Sequence, residues 1–165
     1  MKARIVRPGP TNTSQDSQLA IAVFDDWPAL RGVIDHLCDS CGACPSAIVL
    51  SRDMPETPEN LNLPGDVIRM RFATGLYATC SRGRIADQLA SGLSQRPHTL
   101  AHALHDWLPL DQCWKLESHI EQGQLVLMLE LRGLDDHETL CAILVRHSPH
   151  IIRLFEFNVH DVSRR

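Results

Sequence analysis

Two clusters in the chain carry residue types able to do chemistry. The first is Cys38-x2-Cys41-x2-Cys44, followed by Pro45. Thiolates at this spacing in a wrapping loop converge on one iron–sulfur cluster, with Cys80 as the fourth ligand. The second is His98-x3-His102-x2-His105, with Asp106 adjacent. Imidazoles at i and i+4 share a helix face and can chelate zinc or a similar ion. Each cluster also has a plainer reading. Cys38 and Cys41 extend an apolar helical stripe, and buried cysteine packs as a small hydrophobe. His98 follows Pro97, outside the expected helix, so the histidines also read as a polar helix face opposite Leu100, Ala103, Leu104 and Trp107. Packing is the reading we favour for both, which leaves no cofactor, with an iron–sulfur cluster or zinc as the alternative. Nothing points to a catalytic residue. No nucleophile elbow, Walker pattern or dinucleotide fingerprint is present. Arg82-Gly83-Arg84 reads as a solvated turn, and Trp107 and Trp114, either side of Pro109, as packing at a helix joint.

The elements that must position these groups follow from periodicity. Residues 19–24 (LAIAVF) form an apolar strand, and Asp25 or Asp26 caps the helix that Trp27 and Pro28 open. Leu30, Val33, Ile34, Leu37, Cys38 and Cys41 form its stripe. Gly42 and Pro45 close it, and 47–50 (AIVL) is a second strand. Residues 51–66 are polar and proline-rich, a loop. The alternation and glycine in 67–79 predict a strand or hairpin. Helices follow at 84–93, 99–108 and 110–122, the last bearing Cys113, Leu116 and Ile120 on one face and ended by Gly123.

Residues 125–131 (LVLMLEL) alternate leucine with Val126, Met128 and Glu130. Both faces are mostly apolar, as in a central strand. Asp135 or Asp136 caps a helix over 135–148 with Leu140, Ile143, Leu144 and His147 at helical spacing; Pro149 stops it, and 151–159 is the last strand. Two β-α-β-like halves around a middle insert, about 51–98, predict an α+β chain: a ferredoxin-like α/β sandwich of about four strands with helices on one face. We expect one domain over 18–162 behind a disordered arm, 1–17.

Length and charge narrow the function classes. A chain of 165 residues with net charge −4 has ample core and no strongly basic face for nucleic acid. No apolar run reaches the ~18–20 residues of a membrane span. The six cysteines with no secretory signal lead us to expect a reducing, cytoplasmic setting.

The segment LPLDQCWKLESHIEQGQLVLMLELRGLDDHETLCAILVRHSPHIIRLFEF resembles the C-terminal half of bacterial general-stress-protein-like (heat-induced stress protein) domains. The matching positions are Pro109, Glu117, Gly123, 125–131, Asp135, Asp136, 142–144 and 151–155. The opening AVFDDWPALRGVIDHL is similar to the same family's first strand and helix, with Asp25 or Asp26 at the strand end. The patterns lie in residues 19–50 and 107–158. The resemblance implies a soluble, stress-linked bacterial protein with no catalytic residues to carry over. The family's glycine- and alanine-rich apolar middle segment is replaced here by the polar, mixed residues 51–98.

The leading functional expectation is a non-enzymatic interaction or regulatory domain acting as a homo-oligomer, a dimer, through an exposed sheet edge. The alternatives are a metal or iron–sulfur protein using the cysteine or histidine cluster, and a small-molecule-binding enzyme with a pocket in the middle insert lined by His102 and His105.

Overall fold

A computed structural model of the protein describes residues 17–40, 46–53, 63, 67–72, 75–81, 83–95, 99–104, 108–131, 134–147 and 149–157. Of the expected arm, only its last residue lies among them. The strands are β1 (Ser17–Phe24), β2 (Ala47–Ser51), β3 (Val67–Arg71), β4 (Tyr77–Ser81), β5 (Leu125–Leu131) and β6 (Ile151–Phe157). The helices are α1 (Trp27–Ser40), α2 (Arg84–Gln95), α3 (Leu100–Leu104), α4 (Leu110–Glu121) and α5 (Leu134–Arg146). None is long and apolar enough to cross a membrane.

The six strands make one open sheet in the order β3-β4-β2-β5-β1-β6, antiparallel at every pairing. β1 and β2 both pair with β5, so they run parallel to each other with β5 between them. β5 and β6 run parallel with β1 between them. The two β-α-β units are therefore interleaved rather than set side by side. Each crossover helix spans the gap left for a strand of the other unit.

β5 is the central strand that its alternation implies, and all seven of its residues are buried. Its leucines, from Leu125 to Leu131, share one core with Leu30, Val33, Ile34 and Leu37 of α1 and Leu140, Ile143 and Leu144 of α5. Val126 and Met128 face the other way, into a core with Ile85 and Leu89 of α2, Leu100 and Leu104 of α3, and Cys113, Leu116 and Ile120 of α4. Each fully buried Leu or Ile contributes roughly 1.5–3 kcal/mol of transfer free energy, so the two layers are of comparable weight.

This corrects the expectation of about four strands with helices on one face. Among the described residues the sheet has six strands, and helices cover both faces. The middle segment supplies the difference. β3 and β4 form a hairpin that extends the sheet beyond β2, and α2 packs on the face opposite α1 and α5. In the hairpin turn, the Gly75 N–H donates to the Phe72 carbonyl at 2.9 Å, and Gly75 sits at φ 93°, a conformation that favours glycine.

Candidate functional site

Four chain segments meet at one end of the sheet: the exit of β1, the last turn of α4, and the entries of β5 and β6. Register brings them together, since Phe24 pairs with Leu125 and Val23 with Ile151. The two adjacent aspartates after β1 divide their roles. Asp26 caps α1, its Oδ1 accepting from the Ala29 N–H at 2.9 Å. Asp25 turns to the sheet end, where Oδ1 accepts from Gln124 Nε2 at 3.1 Å and Oδ2 pairs with Nε2 of His150.

The turn that ends α4 sets the next link. The Gly123 N–H donates to the Ile120 carbonyl and the Gln124 N–H to the His119 carbonyl, both at 3.0 Å. That is a Schellman closure with glycine at φ 90°. It folds Gln124 back over the helix end, and Gln124 Oε1 lies 2.7 Å from His119 Nδ1.

The direction of this chain of hydrogen bonds follows from its members. An ionised carboxylate only accepts, so the Gln124 amide nitrogen faces Asp25 and its oxygen faces His119. His119 must then donate from Nδ1, which leaves Nε2 as the acceptor of the neutral ring. The hydrogen bonds from His150 and then Gln124 hold the Asp25 carboxyl below the usual carboxylate range. Asp25 and His150 are exposed, with side-chain accessibilities of 62% and 52%. His119 is half-buried.

His119 also lines a groove between α4 and β6. Ile21, Leu116, Ile151 and Phe155 form its apolar floor, and Gln112, Lys115, His119 and Arg153 its polar rim. The groove is shallow, with a cavity volume of about 30 Å³. Arg153 Nη1 donates to Gln112 Oε1. Neither His119, His150, Gln124 nor Arg153 belongs to a local sequence motif. They fall in two stretches, 119–124 and 150–153, that lie far apart in the chain, and the strand register brings the two stretches together.

A second histidine contact joins α1 to α5. His36 Nδ1 and His147 Nε2 are 3.2 Å apart, and the rings meet edge to face with centroids 5.4 Å apart. Burial, then the neighbouring His36 and Arg146, lowers the His147 pKa from the ordinary 6.5. As pH falls, the unfolded chain therefore binds a proton before the folded one does. The contribution of this contact is complete above about pH 6.5 and is lost as pH falls through the folded value. Thermal melts should show stability falling from pH 7 to pH 5, with a smaller fall for His147→Gln; identical slopes would remove the pair from the pH response.

A third feature is an open polar cleft of about 360 Å³ lined by Arg52, Asp53, Gly75, Leu76, Glu117 and Glu121. Arg52 Nη1 donates to the Glu121 carbonyl at 3.2 Å, serving one of the last acceptors of α4. Burial, with Glu121 nearby, raises the Glu117 pKa.

The sequence-derived candidates fare differently. Cys38 is half-buried against the α1–α5 core, whereas Cys80 is buried in the opposite core. With the sheet between them, the two thiols do not share a ligand shell. Cys41, Cys44, His98 and His105 lie outside the described residues, as do Asp106, Trp107 and Arg82. His102 is in α3, but its side chain is outside the described set. Among the described residues, no group of three or more His, Cys, Asp or Glu side chains is placed to hold a metal ion. Trp114 is 60% exposed on α4 rather than packed at a joint. Gly83 packs tightly, since a Cβ there would meet Ser46 Oγ at 2.6 Å.

Comparison of the chain with protein-family models, with curated proteins and with solved structures finds no match.

Proposed function

We propose that the chain is a non-enzymatic interaction or regulatory domain that works as a homodimer, paired along the β6 edge. One observation carries this reading. β6 ends the sheet, and Ile151, Ile152, Leu154 and Phe155 are only half-buried, while β1 beside it and β5 beyond are buried almost throughout. An edge with large apolar side chains on both faces and a row of backbone donors and acceptors is a template for another strand. The copy best matched to it is the same strand antiparallel to itself, since a two-fold interface is self-complementary.

The same proposal takes β2, β5, β1 and β6, with α1 and α5 on one face, as a ferredoxin-like sandwich to which the β3–β4 hairpin and α2 to α4 have been added. Strand order and direction support this. The stress-linked bacterial role implied by the sequence resemblance belongs to the proposal as well. So does a cytoplasmic setting, with which the thiols of Cys80, Cys113 and Cys141, none in a disulfide, are in keeping.

Light scattering at about 100 μM should give twice the chain mass, since an interface of standard size holds far below that concentration. Ile152→Lys places a charge on the edge and should weaken the dimer by roughly tenfold or more while melting as the parent does. A strict monomer in the parent protein would end the reading.

A further inference from the structure

We infer that the α4–β6 groove is a binding site for a small carboxylate that carries an apolar tail and, beside the carboxylate, a hydroxyl or amine. The inference goes beyond self-association; the two readings share Ile151 and Phe155, but the rim of Lys115, His119 and Arg153 belongs to this one alone.

The chemistry of the rim selects the ligand. Arg153 on β6 and Lys115 on α4 put two cations on the rim above an apolar floor. Arg153 is half-buried on β6, where a guanidinium is costly without a partner. Gln112 Oε1 accepts from its Nη1, and a guanidinium has five N–H donors, so this one contact leaves most of the fork to be served. A planar carboxylate matches that fork with two parallel hydrogen bonds. Lys115, exposed one helical turn before His119, adds a mobile second charge.

His119 supplies the third contact. Gln124 takes its Nδ1 proton and is itself held by Asp25, so in the neutral form of the ring Nε2 is the nitrogen left to accept. An acceptor beside two cations favours a ligand that pairs its carboxylate with a hydrogen-bond donor. The floor of Ile21, Leu116, Ile151 and Phe155 takes the apolar remainder. With a cavity volume of about 30 Å³, well below the roughly 300–1,000 Å³ of drug-sized ligand sites, the groove takes only part of a small acid and excludes a nucleotide or a peptide. The apolar floor argues for an organic carboxylate over inorganic phosphate.

The test uses the full chain and four probes: 2-hydroxy-4-methylpentanoate, 4-methylpentanoate, 4-methylpentanamide and inorganic phosphate. Titration is followed by heat and by the imidazole nitrogen shifts of His119. The hydroxy acid should bind and move the His119 signals. The acid lacking the hydroxyl should bind roughly tenfold more weakly, and the amide and phosphate not at all. Arg153→Gln and Lys115→Gln should each weaken binding of the hydroxy acid by about tenfold while keeping the parent melting temperature. Lys115 is on the helix surface, so its variant serves even if Arg153→Gln fails to fold. The inference is overturned if no heat or shift appears at about 10 mM hydroxy acid. It is equally overturned if the amide or phosphate binds as well, if loss of the hydroxyl changes nothing, or if neither variant alters affinity. Light scattering on the same samples separates the two readings: a dimer that binds nothing sinks only this one, and a monomer that binds sinks only self-association.

Discussion

Replacing Leu89 with alanine is expected to destabilise the protein by about 2–5 kcal/mol, as much as Leu30→Ala on the opposite face. Both side chains are fully buried, Leu89 from α2 and Leu30 from α1, in cores separated by the sheet. Truncation loses the transfer free energy of the removed methyl groups and leaves a cavity that the close-packed surroundings refill only in part. The prediction bears on architecture. If the middle segment were a peripheral addition, α2 would yield at little cost, within the roughly 0.5 kcal/mol typical of surface sites. Leu110→Ala, at a half-exposed position on α4, provides that baseline. Urea unfolding of the three variants checks the set. A Leu89→Ala cost no larger than that of Leu110→Ala would mean that the second helical layer contributes little to stability.

The second expected result concerns the thiols. Cys80 should react with a disulfide reagent at pH 8 about a thousandfold more slowly than an ordinary thiol, because burial raises its pKa from 9.0 to about 12 and the thiolate is the reacting form. Burial similarly lifts Cys113 to about 11, with Asp111 and Glu117 adding repulsion and a backbone hydrogen bond opposing. Both should react at ordinary rates once the chain is unfolded in denaturant. The result also bears on metal chemistry, since a thiol ligand must first lose its proton. Fast native-state labelling of Cys80, with labelling rates of the unfolded chain as reference, would contradict its place in the core between β4 and α2.

Much of the fold was legible in the chain. The alternation in 125–131 identified a strand buried on both faces, and Gly123 marked the end of α4, where a Schellman closure forms. The stripe from Leu30 to Leu37 and the crossover length made β1 and β2 parallel. These are local properties, since side-chain period and the φ demands of glycine act within a few residues. The second helical layer was not legible. A stripe such as Ile85 and Leu89 says that a helix has a buried side, but not which face of a sheet receives it.

The candidate site was less legible still. Cysteine and histidine spacing drew attention to 38–44 and 98–105, because ligands close in sequence form readable motifs. Asp25, His119, Gln124, His150 and Arg153 form none. Asp25 and Asp26 are indistinguishable as capping residues until the register of β1 against β5 and β6 sends one to the helix and the other to Gln124 and His150. The amino-acid order alone thus settled most of the strands and helices and which sides of them are apolar, since backbone sterics and hydrophobic period act locally, but left 67–79 open between one strand and a hairpin. Tertiary structure alone decided the interleaving of the two units, the covering of both sheet faces and the meeting of His119 with Asp25 through Gln124. Those depend on pairings between residues up to 125 positions apart, which no local pattern encodes.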